Sequence, residues 1–181
     1  MNYVQPIRDV GKIEEIKVYL NKKSYRDYFL FLMGINTGLR ISDLLPLKVM
    51  DIKEKTHFVL KEQKTSKTKR FPLYTLEEDI RRYINGMDDA DYLFPSRLDQ
   101  GNQPLSRYRA WAILSNAGEH VGLGEIGTHT LRKTFGYHFY QKTKDVAMLQ
   151  ELFNHSAPSV TLRYIGINQD MIDDAMRNFK L

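Results

Sequence analysis

The sequence predicts a mainly α fold with a small antiparallel β-sheet, an α+β domain. Three observations lead there. Apolar residues recur at a helical period along most of the chain, and strand-favouring residues gather only between positions 57 and 73. All 181 residues run without an internal repeat, a low-complexity tract or an interior linker. A chain of this length buries roughly 70% of its unfolded surface around one core, so residues 1–181 are expected to form a single domain.

The elements follow in order. Val10, Ile13, Ile16, Val18 and Leu20 keep near-helical spacing behind Asp9, an N-cap residue type. A second helix is expected from about Ser24 to Asn36 on Tyr28, Phe29, Phe31, Leu32 and Ile35, and Thr37-Gly38 stops it. A short helical turn over residues 40–45 is cut by Pro46. His57-Phe58-Val59-Leu60 is then answered by Arg70-Phe71-Pro72-Leu73 across a polar turn, which makes the hairpin. Helices resume at about 76–86, 106–120, 130–142, 145–153, 159–165 and 169–179.

Composition bounds the chemistry. Lys and Arg number 27 against 22 Asp and Glu, a net charge of +5 that suits a polyanionic partner without requiring one. The chain has no cysteine, which excludes disulfides, thiolate metal sites and a cysteine nucleophile; any chemistry must use oxygen and nitrogen. No apolar run approaches the ~18 residues of a membrane span. Met1-Asn2-Tyr3-Val4-Gln5-Pro6 lacks the charged-then-apolar profile of a signal peptide, so a cytoplasmic setting is expected.

Polar residues in four segments carry the functional signal. In Thr37-Gly38-Leu39-Arg40-Ile41-Ser42-Asp43-Leu44-Leu45-Pro46-Leu47, Arg40 and Asp43 face the same side of a helical turn. They fit a surface ion pair, or an arginine held so that its fork meets phosphate oxygens. Lys61-Glu62-Gln63-Lys64-Thr65-Ser66-Lys67-Thr68-Lys69-Arg70 puts five basic residues at the hairpin turn, either as a solvated loop or as a source of a lysine that enters a DNA groove. In Thr128-His129-Thr130-Leu131-Arg132-Lys133, His129 and Arg132 share a helical face near a helix start, with Thr128 as a cap, and two donors on one face suit an anion. Leu149 to His155 closes a helix, Ser156-Ala157-Pro158 opens the next, and Tyr164 follows His155 by nine residues across that break. No helical register forces His155 and Tyr164 together.

These segments jointly resemble the tyrosine recombinase (phage integrase) family, specifically its catalytic domain, over roughly residues 9–180. Thr37 to Leu47 fits the family's T-G-L/M-R-hydrophobic-S-E/D-L pattern with Arg40 as the first arginine. The family's lysine lies on a β-hairpin eight residues before a proline; Lys64 and Pro72 have that spacing, and Lys61, Lys67 and Lys69 do not. His129 to Phe135 matches H-x-L-R-H/K-T-F, and Phe153-Asn154-His155 with Tyr164 matches L-G-H followed nine residues later by tyrosine. Asn154 replaces the usual glycine, and Asn is the next best residue for a left-handed helix end. Most members carry a separate N-terminal core-binding domain, which is expected to be absent from this chain.

The resemblance implies a site-specific DNA recombinase or integrase. Tyr164 would attack a phosphodiester to give a 3′-phosphotyrosine, while Arg40, Arg132 and His155 stabilise the transition state. Lys64 would protonate the leaving oxygen, His129 would assist proton transfer and Asp43 would orient Arg40. Lys61, Lys67, Lys69, Arg70 and Lys133 are the candidate DNA contacts. No cofactor and no metal are expected; a rival metal site of His129, His155 and Asp43 would hold a dication beside Arg40 and Arg132, which repel it. The implied partners are double-stranded DNA, further recombinase subunits in a tetramer on paired sites, and accessory DNA-bending proteins. Competing readings are a DNA-binding regulatory module without recombination activity of its own and a type IB topoisomerase. The tail stripe of Met171, Ile172, Ala175, Met176 and Phe179, with Asn168 as its cap, suits packing on its own body or docking on a neighbouring subunit.

Overall fold

The computed structural model describes residues 4–61, 68–98, 101–167, 172, 175–177, 179 and 180. Helix α1 (Val10–Lys23) begins as expected, with the Asp9 carboxylate accepting the Gly11 N–H at 2.7 Å. Helix α2 (Tyr25–Thr37) ends at Gly38 with φ 64°, in the left-handed region. Glycine is needed there twice over, because a Cβ would also collide with the Phe135 ring. Helix α3 (Ile41–Leu44) follows, and then a helical turn that the sequence pattern did not announce, α4 (Val49–Ile52). Its start is fixed by the Asp51 carboxylate, which accepts the Lys48 N–H at 2.7 Å.

Strands β1 (His57–Lys61) and β2 (Thr68–Pro72) pair antiparallel in a two-stranded sheet. The register sets Phe58 opposite Phe71, and their rings stack at 5.1 Å on the face turned to the core. Helix α5 (Glu77–Tyr83) is shorter than the expected 76–86. The chain turns at Ile84, whose carbonyl accepts the Met87 N–H at 3.0 Å, and Gly86 takes φ 85°. Helices α6 (Arg107–His120), α7 (Thr128–Thr143), α8 (Val146–Phe153) and α9 (Pro158–Tyr164) lie within two residues of their expected bounds. Pro158 at the first turn of α9 lacks the N–H that a helix start leaves unpaired.

The described residues bury three apolar clusters. Phe29, Leu30 and Met33 of α2 join α3, α4, the sheet and α5 through Leu44, Val49, Ile52, Phe58 and Ile80. Phe31 on the other side of α2 packs with Ile16 and Leu20 of α1, Leu114 of α6 and Leu131 of α7. Helix α2 is thus buried on more than one side, as its dense apolar sequence requires. Each such side chain contributes about 1.5–3 kcal/mol. The third cluster is small: Leu149 and Phe153 of α8 with Ile165 past α9, against Phe135 of α7. Helices α8 and α9 therefore rest on the least apolar burial, which places them toward the low end of local stability.

Residues 4–8 add polar ties along α7. The Ile7 N–H donates to Thr134 Oγ1 at 2.9 Å, and His138 Nε2 donates to the Ile7 carbonyl at 2.9 Å. Of the expected tail helix, Ile172 and residues 175–177 are described and helical, whereas Asn168 and Met171 lie outside the described residues. Ile172, Met176 and Phe179 are 54%, 59% and 62% exposed. Among the described residues no helix is long and apolar enough to cross a membrane.

Candidate active site

Helix α7 supplies the centre of the site. Its start corrects the expectation that Thr128 caps it: Thr128 is already helical and Gly127 is the N-cap residue. The capping comes from inside, because the buried Thr130 hydroxyl accepts the Gly127 N–H at 3.0 Å. His129 and Arg132 then stand one turn apart.

Arg132 is only 5% exposed and tied at both terminal nitrogens. Nη1 donates to the Gly38 carbonyl at 2.6 Å and Nη2 to the Phe153 carbonyl at 3.1 Å, with the guanidinium 4.1 Å from the Phe153 ring centroid. Gly38 lies two residues before Arg40, and Phe153 two residues before His155. One side chain thus draws together the segments that carry Arg40 and His155. Arg40 is half-buried at the start of α3, where its carbonyl accepts the Asp43 N–H at 2.9 Å. Asp43 itself is 2% exposed, and no buried side-chain nitrogen or oxygen among the described residues lacks a hydrogen-bond partner.

Helix α8 ends at Asn154 with φ 54° and ψ 45°, the left-handed geometry expected there. The His155 N–H closes back on the Gln150 carbonyl at 3.1 Å, and Gln150 Nε2 donates to the His155 carbonyl at 3.1 Å. That turn aims the imidazole at α9. His155 Nδ1 lies 3.0 Å from the hydroxyl of Thr161, which is fully buried. Three residues on, the Tyr164 ring meets His155 at 5.2 Å between centroids and an interplanar angle of 70°, and meets Phe153 at 5.6 Å. The contact that no helical register demanded is made through Phe153 and Thr161.

The electrostatics are those of an anion site. His129 is held below its usual value of 6.5, first by burial and then by the charges of Lys133, Arg132 and Arg40. Those cations gather around a histidine kept neutral, and a phosphate would relieve their repulsion. Lys133, expected among the DNA contacts, is 6% exposed; its Nζ donates to the Val4 carbonyl at 2.9 Å and lies 5.1 Å from the Tyr164 ring centroid. Burial pushes its ammonium down from the usual lysine range. Lys61 and Arg70 are exposed at the hairpin, and Lys69 lies in β2. Lys64 and Lys67 lie outside the described residues, as does the side chain of Lys69. No group of three His, Asp or Glu side chains is set to hold a metal ion among the described residues.

Sequence reasoning missed several supporting groups. Thr161 carried one faint signal, a polar residue one turn before Tyr164 on a short helix. Gly136 allows α8 and α9 to approach α7, since a Cβ there would lie 2.7 Å from Ile165 Cγ2 and 2.8 Å from Phe153 Cε2. The carbonyls of Gly38 and Phe153 carry no side-chain signal at all.

Known proteins are similar to this chain in sequence and in fold. The phage integrase family model matches residues 9–171. The probable integrase/recombinase YoeC of Bacillus subtilis is 52% identical over 180 residues, covering 99% of this chain and 98% of that protein. The tyrosine recombinase XerA of Pyrococcus furiosus is 30% identical over 174 residues, covering 93% of this chain but 60% of its own length. The chain thus spans nearly all of YoeC and about 60% of that XerA. In fold, it is similar to the crystal structure of XerA recombinase with a TM-score of 0.77 at 17% identity, over 100% of this chain and 66% of the other. A XerH recombinase structure gives 0.70 at 18% identity, over 98% and 54%. With the family model spanning most of the chain and the fold agreeing, this chain belongs to the phage integrase family, the tyrosine-type site-specific recombinases.

Proposed function

We propose that this chain cuts and rejoins duplex DNA with Tyr164 as its nucleophile. The observation that carries the reading is the meeting of the His155 and Tyr164 rings at 5.2 Å, both against the Phe153 ring over which Arg132 lies, with the two Arg132 tethers reaching the segments bearing Arg40 and His155. The Tyr164 oxygen attacks the scissile phosphorus, the bond from phosphorus to the 5′ oxygen breaks, and that oxygen takes the electron pair and a proton from Lys64. The products are a 3′-phosphotyrosine and a free 5′ hydroxyl. His129, held neutral, is suited to take the tyrosine proton. Arg40, Arg132 and His155 neutralise the equatorial oxygens, and losing one such preorganised donor costs roughly 10²–10³ in rate. Asp43 holds Arg40 in place. Because the phosphotyrosine keeps the bond energy, rejoining to another strand's 5′ hydroxyl needs neither a nucleotide cofactor nor a metal.

The partners follow from the chemistry. Exchange between two duplexes breaks four strands, so four subunits assemble on paired sites for integration, excision or inversion, and accessory DNA-bending proteins bring the sites together. The exposed apolar residues Ile172, Met176 and Phe179 give the tail a surface for docking on a neighbouring subunit. The exposed Lys61 and Arg70 grip the phosphate backbone from the hairpin, and Lys67 and Lys69 remain candidate DNA contacts by sequence. The bacterial cytoplasm or nucleoid is the setting where such a substrate lies.

A nicked suicide duplex, from which the 5′ fragment diffuses away, tests the reading by trapping protein on DNA. A detergent-resistant covalent band is expected with the native chain and none with Tyr164→Phe, while DNA affinity and fold persist in both. A native chain that binds the duplex but never forms the band acts as a binding module. A band that persists in Tyr164→Phe excludes Tyr164 as nucleophile.

A further inference from the structure

Lys133 is the buried cation that the chemistry above leaves without a task. It follows Arg132 directly on α7, and its ammonium lies 5.1 Å from the centroid of the Tyr164 ring. A long side chain with about 2 kcal/mol of rotamer entropy does not stay in such a place without an anchor. Its anchor is the Val4 carbonyl at 2.9 Å. Val4 belongs to the segment whose Ile7 is fixed to α7 through Thr134 and His138. The same segment reaches the chain just after Tyr164: Arg8 Nη2 donates to the Gly166 carbonyl at 2.9 Å, two residues beyond Tyr164, where the chain turns at φ 79°. The Arg8 guanidinium is itself held 5.7 Å from the Tyr137 ring on α7.

We propose that Lys133 and Arg8 are positioning residues for Tyr164, with the segment of residues 4–8 serving as the brace that holds both. Lys133 fixes the ring by cation–π attraction, and Arg8 fixes the backbone just after it. This rests on Tyr164 being the nucleophile, because only then does the placement of its ring matter to a reaction. The brace answers a specific weakness. Helix α9 is seven residues long and sits on the smallest apolar cluster, so packing alone restrains Tyr164 weakly. The cation adds selectivity of its own: a ring gaining electron density as its oxygen gives up the proton is attracted more strongly than the neutral phenol. The Lys133 contact is therefore worth more along the reaction path than before it, which is the condition for an interaction to accelerate a step.

The test uses the full chain with 3-fluorotyrosine in place of tyrosine, the Tyr164 fluorine resonance being assigned by its loss in Tyr164→Phe. Lys133→Met removes the charge at similar length, Lys133→Arg keeps it, and Arg8→Gln releases the Gly166 carbonyl from an exposed position. Lys133→Met is expected to shift and broaden the Tyr164 resonance and to slow covalent trapping on the nicked duplex by about tenfold, a barrier change of ~1.4 kcal/mol. A loss of DNA affinity that accounts for the slower trapping would make Lys133 a DNA contact and overturn its positioning role. Lys133→Arg should restore most of both signals, a rescue that a purely packing role would not give. Arg8→Gln should broaden the resonance and slow trapping by about threefold. If Lys133→Met fails to fold, the Lys133→Arg and Arg8→Gln pair still decides. A Tyr164 resonance unmoved in Lys133→Met, or unmoved in Arg8→Gln where the former does not fold, overturns the proposal. A resonance that moves as expected in a native chain that traps no DNA upholds the brace and overturns the nucleophile reading instead.

Discussion

The Arg132 guanidinium lies 4.1 Å from the centroid of the Phe153 ring and donates to that residue's own carbonyl at 3.1 Å. A second donation to the Gly38 carbonyl completes a link between the end of α2, the second turn of α7 and the end of α8. Arg132 is therefore a structural tie as well as a phosphate-directed charge. Each buried carbonyl left unpaired costs about 1–3 kcal/mol.

Arg132→Ala should accordingly destabilise the fold by roughly 2–4 kcal/mol and end covalent trapping. Arg132→Lys should lose less stability, since its charge persists, but trapping should still fall by about 100-fold because an ammonium cannot reproduce the fork. Urea unfolding and single-turnover trapping measure the two effects. An Arg132→Ala chain as stable as the native one would remove the tie.

Lys64 is assigned by spacing and by the family pattern alone, and a substrate can test its role directly. Lys64→Ala should cut ordinary duplex at least about 100-fold more slowly than the native chain. On a duplex whose 5′ leaving oxygen is replaced by sulfur the defect should largely vanish, since a thiolate departs without a proton. Equal defects on both substrates would reduce Lys64 to a phosphate contact.

His129 makes stability depend on acid pH. The fold holds it below 6.5, by burial and by Lys133, Arg132 and Arg40. Between the folded and unfolded values the unfolded chain binds the extra proton, so this group's contribution is complete above pH 6.5 and is lost as the pH falls through 6.5 toward the folded value. Urea unfolding at about pH 7.5 and about pH 5.5 should show a smaller acid loss in His129→Gln than in the native chain. Identical losses would show that other groups govern acid stability.

The sequence was most legible where a local rule acts. Asp9 capping α1, Gly38 ending α2, Pro158 opening α9 and Asn154 in the left-handed region each follow from one residue's own backbone preference. Helix α4 escaped notice because four residues hold too little periodicity, and its start depends on the Asp51 carboxylate reaching Lys48. Arg40, His129, Arg132, His155 and Tyr164 were legible as a pattern, but the means by which they meet was not. The Gly38 and Phe153 carbonyls are backbone atoms, identical in every residue. Thr161 gains meaning only when His155 stands 3.0 Å away. Lys133 was legible as a candidate DNA contact beside Arg132, but only tertiary structure supplies the Val4 carbonyl that its ammonium reaches.

Gly136 offers the sharpest separation of stability from chemistry. It sits on α7 where Phe153 and Ile165 close in, and a methyl group there would stand 2.8 Å from Phe153 and 2.7 Å from Ile165. Gly136→Ala gains about 1 kcal/mol of helix propensity while overpacking costs roughly 1–3 kcal/mol, so the net loss of stability should be small. The strain has one outlet. Helices α8 and α9 rest on the smallest cluster and should move away from α7, carrying His155 and Tyr164 with them. A displacement of ~1 Å at reacting groups costs on the order of 100-fold. Trapping by Gly136→Ala should therefore fall by at least about tenfold while its urea midpoint barely moves. A variant that traps DNA at the native rate would show that the close approach of α7 to α8 and α9 does not set the geometry of the site.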